Sequence, residues 1–281
     1  MKRVLMRIVM YSAVLAGLCL SIGTAAAQDK AAAPEKAAAE KAAAPDNKTN
    51  VDPAEIIRRF AAKEAAFKEA RSEYTYHQTV KLEELDPPPT GMWYEESDII
   101  FNPQGKRSEV VVRAPVPNLQ HIILTPEDTA DLRDVQPFVL TSDDVGQYNI
   151  DYLGREKVDE IGCYTFSVKP KKMVKGKRYF EGEIWVDDRD FQIVKTYGKG
   201  VGIVSKGNEF PKFETYREQI DGKYWFPTYT HADDVLHFPG GENVHIRMTV
   251  KYQDYKKFVG RSTITYGKTV DEPTPPPKKK Q

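Results

Sequence analysis

The spacing of apolar residues predicts one helix at the start of a folded region. From residue 53 to about 70, apolar side chains recur every three or four positions, which is the period of one helix face, with a break at Glu64. Asp52 precedes Pro53, and this pair is typical of an N-cap followed by a proline at the first helical position. We therefore expect a helix over about 53–70.

After this helix the apolar residues alternate with polar ones, which is the period of a β-strand. The alternation is clearest near the end, where one face carries Val244, Ile246, Met248, Val250 and Tyr252. Gly, Pro, Asp or Asn stand at many junctions between strands, and most junctions leave no room for a helix, so the strands should form an antiparallel meander. Strands are predicted at about 74–82, 91–101, 106–113, 147–153, 160–169, 178–187, 191–198, 212–221, 223–235 and 243–256.

Residues 114–146 interrupt the meander. Thr125 and Pro126 predict the start of a short helix, and another helical turn is expected further along this segment. A large sheet with one apolar face can close into a barrel, pack on a second sheet or curl around helices. The predicted fold is therefore mainly β (α+β), with a curved antiparallel sheet forming an unclosed β-barrel, an N-terminal helix and a helical lid.

The first 27 residues have the three parts of a secretory signal peptide. Lys2, Arg3 and Arg7 precede an apolar run of 16 residues, and three alanines then offer a cleavage site before Gln28. The run is shorter than the roughly 20 residues of a membrane span, so cleavage is favoured over anchoring. A lipoprotein signal at Cys19 is disfavoured because Leu18 precedes it. These features predict export to a bacterial periplasm.

The chain divides into four parts by composition. The signal peptide spans 1–27, an Ala/Lys/Glu/Pro linker 28–51, one folded domain 52–261 and a Pro/Lys tail 262–281. The 41 basic and 41 acidic residues give no net charge, and removal of residues 1–27 leaves −3. This balance provides no electrostatic footprint for nucleic acid. Cys163 would then be alone and without an intramolecular disulfide, and its strand context predicts a buried thiol.

Motifs for catalysis are absent from the sequence. There is no phosphate-binding loop and no G-x-S-x-G elbow, so neither an enzyme nor a cofactor is predicted, and GKGVG at 198–202 is interpreted as a flexible turn. His231, Asp233, His237 and His245 could form a zinc site across a hairpin. We favour exposed hairpin residues, since the four lack a known ligand motif, and predict no metal.

The sequence resembles one known superfamily. EGEIWVDD at 181–188 precedes a turn and FQIVKT at 191–196, with DYLGREKVDEIGCYTFSVKP before and YREQIDGKYWFPTY after. This order is similar to the outer-membrane lipoprotein-sorting (LolA/LolB-like) superfamily over about 53–256. The resemblance implies an unclosed barrel with a helical lid that shields lipid chains in the periplasm. It also implies an arginine on the sheet that holds the lid closed, for which Arg107 and Arg113 are candidates.

We accordingly expect a monomeric periplasmic carrier that shields acyl chains of lipoproteins or lipids on the way to the outer membrane. An inner-membrane export complex is a possible partner. A sensor or regulatory binding module of the cell envelope is the alternative, and a hydrolase is disfavoured. The expected cavity residues are Tyr76, Val80, Val110, Val112, Phe166, Val168, Ile184, Val186, Ile246, Met248 and Val250. The expected lid residues are Leu132, Val135, Phe138 and Leu140.

Overall fold

The structure is a computed structural model that describes residues 51–102, 106–204 and 206–257. The predicted signal peptide 1–27, the linker up to residue 50 and the tail 262–281 lie outside the described residues. Among the described residues, no helix combines the length and apolar character that a membrane crossing needs.

One helix opens the described region, as predicted. Helix α1 spans Pro53–Arg71, and the side chain of Asp52 accepts a hydrogen bond from the backbone N–H of Ala54. This contact satisfies one of the amides that a helix start leaves unpaired. The buried face of α1 comprises Ile56, Phe60, Ala61, Glu64 and Phe67.

Ten antiparallel strands form a single sheet. Their bounds are β1 Tyr74–Asp86, β2 Met92–Phe101, β3 Arg107–Arg113, β4 Tyr148–Val158, β5 Ile161–Pro170, β6 Arg178–Asp187, β7 Ile193–Gly202, β8 Phe213–Ile220, β9 Tyr224–His237 and β10 Asn243–Lys257. The spatial order is β3-β2-β1-β10-β9-β8-β7-β6-β5-β4. Strands β3 and β4 therefore form two edges and do not pair with each other, which confirms the mainly β fold with a sheet not closed into a barrel.

The main core lies on one face of this sheet, and α1 packs there. The ring centroids of Phe60 on α1 and Phe166 on β5 are 5.7 Å apart. Every second residue is buried from Tyr74 to Glu84 on β1 and from Val244 to Tyr252 on β10, with Val80 opposite Val250 and Leu82 opposite Met248. The alternation predicted for β10 is thus confirmed, and its apolar side faces the core.

The segment between β3 and β4, residues 114–147, is called the insert below. It contains helix α2 at Pro126–Ala130, where Thr125 and Asp128 form a reciprocal capping box. A π-helical turn, Asp131–Val135, follows α2 directly, and a 3₁₀ turn at Val145–Gln147 leads into β4. The short helix predicted after Thr125 is confirmed.

Two valines differ from the expected placement. Ile99 on β2 is fully buried and pairs with Glu109, so the next residue, Val110, projects to the opposite face of the sheet. Val110 and Val112 are 53% and 56% exposed on the edge strand β3. Three consecutive valines carry no alternation, so the sequence could not fix which of them face the core.

GKGVG is not a flexible turn, because residues 198–202 belong to strand β7. A Cβ built on Gly198 would lie 2.3 Å from the carbonyl oxygen of Glu181 on the neighbouring strand. The backbones of β6 and β7 approach each other closely here, and glycine is needed for that approach.

Candidate functional site

A cavity of about 430 Å³ lies between the sheet and the insert. This volume is within the range of about 300–1,000 Å³ that is usual for small-molecule sites. The strands contribute Leu82, Trp93, Phe213, Leu236, Ile246 and Met248 to its wall. The insert contributes residues 121–125 and Leu132, among others. Residues 207–211, in the loop between β7 and β8, also line the cavity.

Three of the expected site residues line this cavity, namely Ile246 and Met248 on β10 and Leu132 in the insert. Two others, Val110 and Val112, are exposed as described above. The remaining ten are buried in the main core and do not line the cavity: Tyr76, Val80, Phe166, Val168, Ile184, Val186, Val250, Val135, Phe138 and Leu140. Part of the concave face is therefore filled by α1 and the insert, and part is left open as the cavity.

The sequence interpretation missed several apolar lining residues. Leu82 shares the face of Val80, so its alternation was a usable signal. The run Ile122-Ile123-Leu124 is an apolar stretch within a mostly polar insert. For Phe238, which follows the last residue of β9, no periodic pattern marked the side chain as part of the site.

A buried carboxylate fixes the insert over the cavity. Glu84 on β1 accepts hydrogen bonds from three consecutive backbone amides, those of Gln120, His121 and Ile122, at 2.8–2.9 Å. Burial alone would raise the pKa of Glu84, but the three N–H donors outweigh it and the pKa is lowered. The ionised carboxylate therefore holds this part of the insert.

A second polar contact holds the helical part of the insert. Arg178 on β6 donates two hydrogen bonds to the carboxylate of Asp131, both at 2.6 Å, and both side chains are less than 10% exposed. A Cβ on Gly200 would lie 1.9 Å from Asp131 Oδ2. The glycine therefore makes the space that this ion pair occupies.

A third contact links α1, the sheet and the insert. Arg217 on β8 pairs with Glu64 on α1, with its Nη1 3.0 and 3.1 Å from the two carboxylate oxygens. The same guanidinium donates to the backbone carbonyl of Phe138 in the insert. Both charged side chains are only 1% exposed.

The arginines that reach the insert are thus not those proposed from the sequence. Arg107 donates to Gln78 and Glu109, and Arg113 pairs with Glu96, all of which are on strands. Within the described residues, the sheet arginines that donate hydrogen bonds to the insert are Arg178 and Arg217.

The charges around the cavity are acidic. Asp128, Asp131 and Glu209 are among its lining residues, while no Lys or Arg is among them and the basic side chain of His121 pairs with Glu242. Asp131 is neutralised by Arg178, whereas the other two carboxylates have no basic ion-pair partner in the described part of the chain. A negatively charged group at this position would be repelled.

The histidines near the end of the chain divide into separate contacts. His245 and Arg247 both bind Asp233, whereas His237 binds Asn243 at 2.8 Å. His231 stacks on Tyr229 with ring centroids 6.1 Å apart. In the described ranges, no group of three or more His, Cys, Asp or Glu side chains is arranged to hold a metal ion.

Cys163 is buried, as predicted. It is fully inaccessible on β5 and packs with Trp185 and Val194 on the face of the sheet away from the main core. Burial raises the pKa of this thiol to about 12. The thiol is therefore protonated at neutral pH and is a poor nucleophile.

No protein-family model matches the chain, and no curated protein matches it. Solved structures similar to it include a DUF1329 family protein from Desulfovibrio piger, at 18% identity, 75% coverage of this chain, 96% of that chain and a TM-score of 0.43. A putative outer membrane lipoprotein-sorting protein domain from Vibrio parahaemolyticus has 13% identity, coverages of 71% and 93% and a TM-score of 0.39.

A LolA superfamily protein from Nitrosomonas europaea has 13% identity, coverages of 72% and 95% and a TM-score of 0.34. The lipoprotein-sorting and LolA names are those of the superfamily that the sequence resembles. Because all three TM-scores are below 0.5, these similarities carry no functional inference.

Proposed function

We propose that this protein is a periplasmic carrier that shields acyl chains of lipids or lipoproteins in the cavity between the sheet and the insert. The observation that carries the proposal is the cavity itself, an apolar space of about 430 Å³ bounded by Leu82, Leu132, Ile246 and Met248. The proposal includes removal of residues 1–27 before Gln28, and the sequence resemblance to sorting proteins agrees with it.

The way in which the insert is held supports a reversible carrier. Each acyl CH₂ that leaves water contributes roughly 0.8 kcal/mol, so a carrier needs a cover that can also open to release the chain. Glu84 and Arg178 hold the insert through hydrogen bonds and an ion pair. These contacts lie beside the cavity and can exchange with water when this part of the insert opens, whereas Val135, Phe138 and Leu140 keep the rest of the insert in the core.

The first experiment asks whether the cavity binds lipid. Protein purified from a periplasm is examined by native mass spectrometry, and the bound material is extracted and identified. Met248→Trp should fill the cavity and abolish lipid binding, while Met92→Trp, at an exposed methionine outside the lining, should not. Leu132→Trp provides a second filling variant if Met248→Trp does not fold. A protein that takes up no lipid when offered it would contradict the proposal.

A second experiment separates carrying from sensing, which is the alternative predicted from the sequence. Lipid-loaded protein is mixed with empty phospholipid vesicles, and the lipid in the vesicles is measured over time. A carrier should transfer the lipid, and transfer should accelerate when the hold on the insert is weakened by Glu84→Gln. Tight binding without transfer would favour a regulatory binding module instead.

A further inference from the structure

Gln136 places a buried side-chain amide in the wall of the cavity. The residue is only 4% exposed and is one of the lining residues. Its Nε2 lies 3.4 Å from the sulfur of Met248, which is a weak acceptor, and its Oε1 has no hydrogen-bond partner among the described residues. The amide therefore keeps most of its hydrogen-bonding capacity. Because its oxygen is buried in the wall, the side chain must turn toward the cavity to offer that oxygen to a ligand.

The backbone at Gln136 is held firmly. Its N–H donates to the carbonyl of Asp131 at 2.8 Å, and its own carbonyl accepts from the hydroxyl of Thr215 at 2.9 Å. The Thr215 hydroxyl is 2.8 Å from that of Thr230, which in turn is 3.2 Å from the hydroxyl of Tyr252. Three adjacent strands, β8, β9 and β10, thus fix the position from which the side chain extends.

An unpaired polar atom in an apolar space is costly, and the cost disappears when a donor arrives. A free Oε1 accepts hydrogen bonds, so its complement is an N–H or O–H group. An anionic partner is disfavoured twice, because a carboxylate has no donor and because Asp128 and Glu209 lie on the same lining.

We propose that the cavity selects a neutral lipid that bears an N–H or O–H donor beside its apolar chain, and that Gln136 Oε1 accepts the hydrogen bond from that donor. The inference rests on the proposed carrier function and names the ligand class for the same site. Amide-linked acyl chains and hydroxylated lipids have this chemistry, whereas simple esters do not.

A matched pair of probes tests the selection. Dodecanamide has an N–H donor, and methyl dodecanoate has the same chain length but only acceptors. Affinities for the full chain are measured by displacement of the neutral fluorophore N-phenyl-1-naphthylamine. The wild type should bind the amide about tenfold more tightly, which corresponds to one net hydrogen bond.

The variant Gln136→Met removes the acceptor while keeping a similar length and the backbone contacts. In this variant the ratio of the affinity for dodecanamide to that for methyl dodecanoate should fall to about one, and the affinity for the ester should stay within about twofold of the wild type. Thermal unfolding of the variant verifies that it is folded. Gln219→Met, at an exposed glutamine on β8, is the control and should keep the preference.

Equal affinity of the wild type for both probes would overturn the role of Gln136 and leave the carrier proposal standing. A preference that survives in Gln136→Met would do the same. Failure of the wild type to bind either probe would overturn both proposals.

Discussion

Glu64 and Arg217 place two full charges inside the apolar side of the sheet. Removal of one charge leaves the other buried without a partner, which costs about 3–5 kcal/mol in comparable cases. Because Arg217 also contacts the carbonyl of Phe138, the loss should reach the insert as well as α1. We expect Glu64→Leu to lower the free energy of unfolding in urea by this amount.

Two further variants make this prediction specific. Glu64→Leu combined with Arg217→Met should regain part of the stability, because no unpaired charge then remains. Glu55→Leu, at a partly exposed glutamate on the same helix that pairs with Arg58 and Arg59, should change stability little. An equal loss in Glu55→Leu would show that the burial of the pair is not the cause.

Gly200 is required because Asp131 occupies the space where a Cβ would be. Gly200→Ala should displace the carboxylate from Arg178 and cost about 1–3 kcal/mol of stability, measured by urea unfolding. Gly146→Ala is the matched control, since a Cβ there would meet no atom within 4 Å. If both variants unfold at the same urea concentration, the close approach of Asp131 to Gly200 does not make glycine necessary for stability.

One strand residue, Glu84, holds residues 120–122 of the insert, next to Asn118, which exchanges two hydrogen bonds with Met92 on β2. Glu84→Gln replaces a carboxylate that accepts three backbone amides by a neutral group with one oxygen. Hydrogen exchange at residues 120–122 should then accelerate by at least about tenfold. Glu83→Gln, at the adjacent residue, which pairs with Lys81, should leave that exchange unchanged.

The same contact predicts a dependence on pH. The pKa of Glu84 is lowered in the folded protein, so its stabilising contribution is present above the usual value of 4.5 and is lost as pH falls through the lowered value. In acid, the backbone amide hydrogens of residues 120–122 should therefore exchange faster than expected from the intrinsic pH dependence of hydrogen exchange alone. Glu84→Gln should not show this additional acid-induced loosening.

The elements differ in how well their sequence predicts them. In β10, five apolar residues at alternate positions fixed both the strand and its buried face. In β3, three successive valines left the buried face undetermined. In β7, the glycines of GKGVG suggested a turn, because their actual role, the close approach to β6, depends on tertiary structure that the sequence does not show. For the same reason the contacts of Arg178 and Arg217 with the insert could not be predicted, since each joins positions far apart in the chain.

The concave side of the sheet has two regions with different roles. Around Phe60 and Phe166 it is filled, and burial there stabilises the fold. Around Phe238 and Met248 it borders the cavity, so side chains there already lack neighbours on one side. This division would allow a carrier to open its binding region without unfolding, because the contacts around Phe60 and Phe166 lie elsewhere on the sheet.

Truncation of one phenylalanine in each region tests this division. Phe60→Ala should cost about 3–5 kcal/mol, because it leaves a new void in a filled core, and should change lipid affinity little once the variant is folded. Phe238→Ala, in a partly buried side chain on the cavity wall, should cost much less stability but weaken lipid binding. Urea unfolding and displacement of a neutral fluorophore measure the two effects on the same samples. Similar losses of stability in both variants would mean that the whole concave side acts as one core.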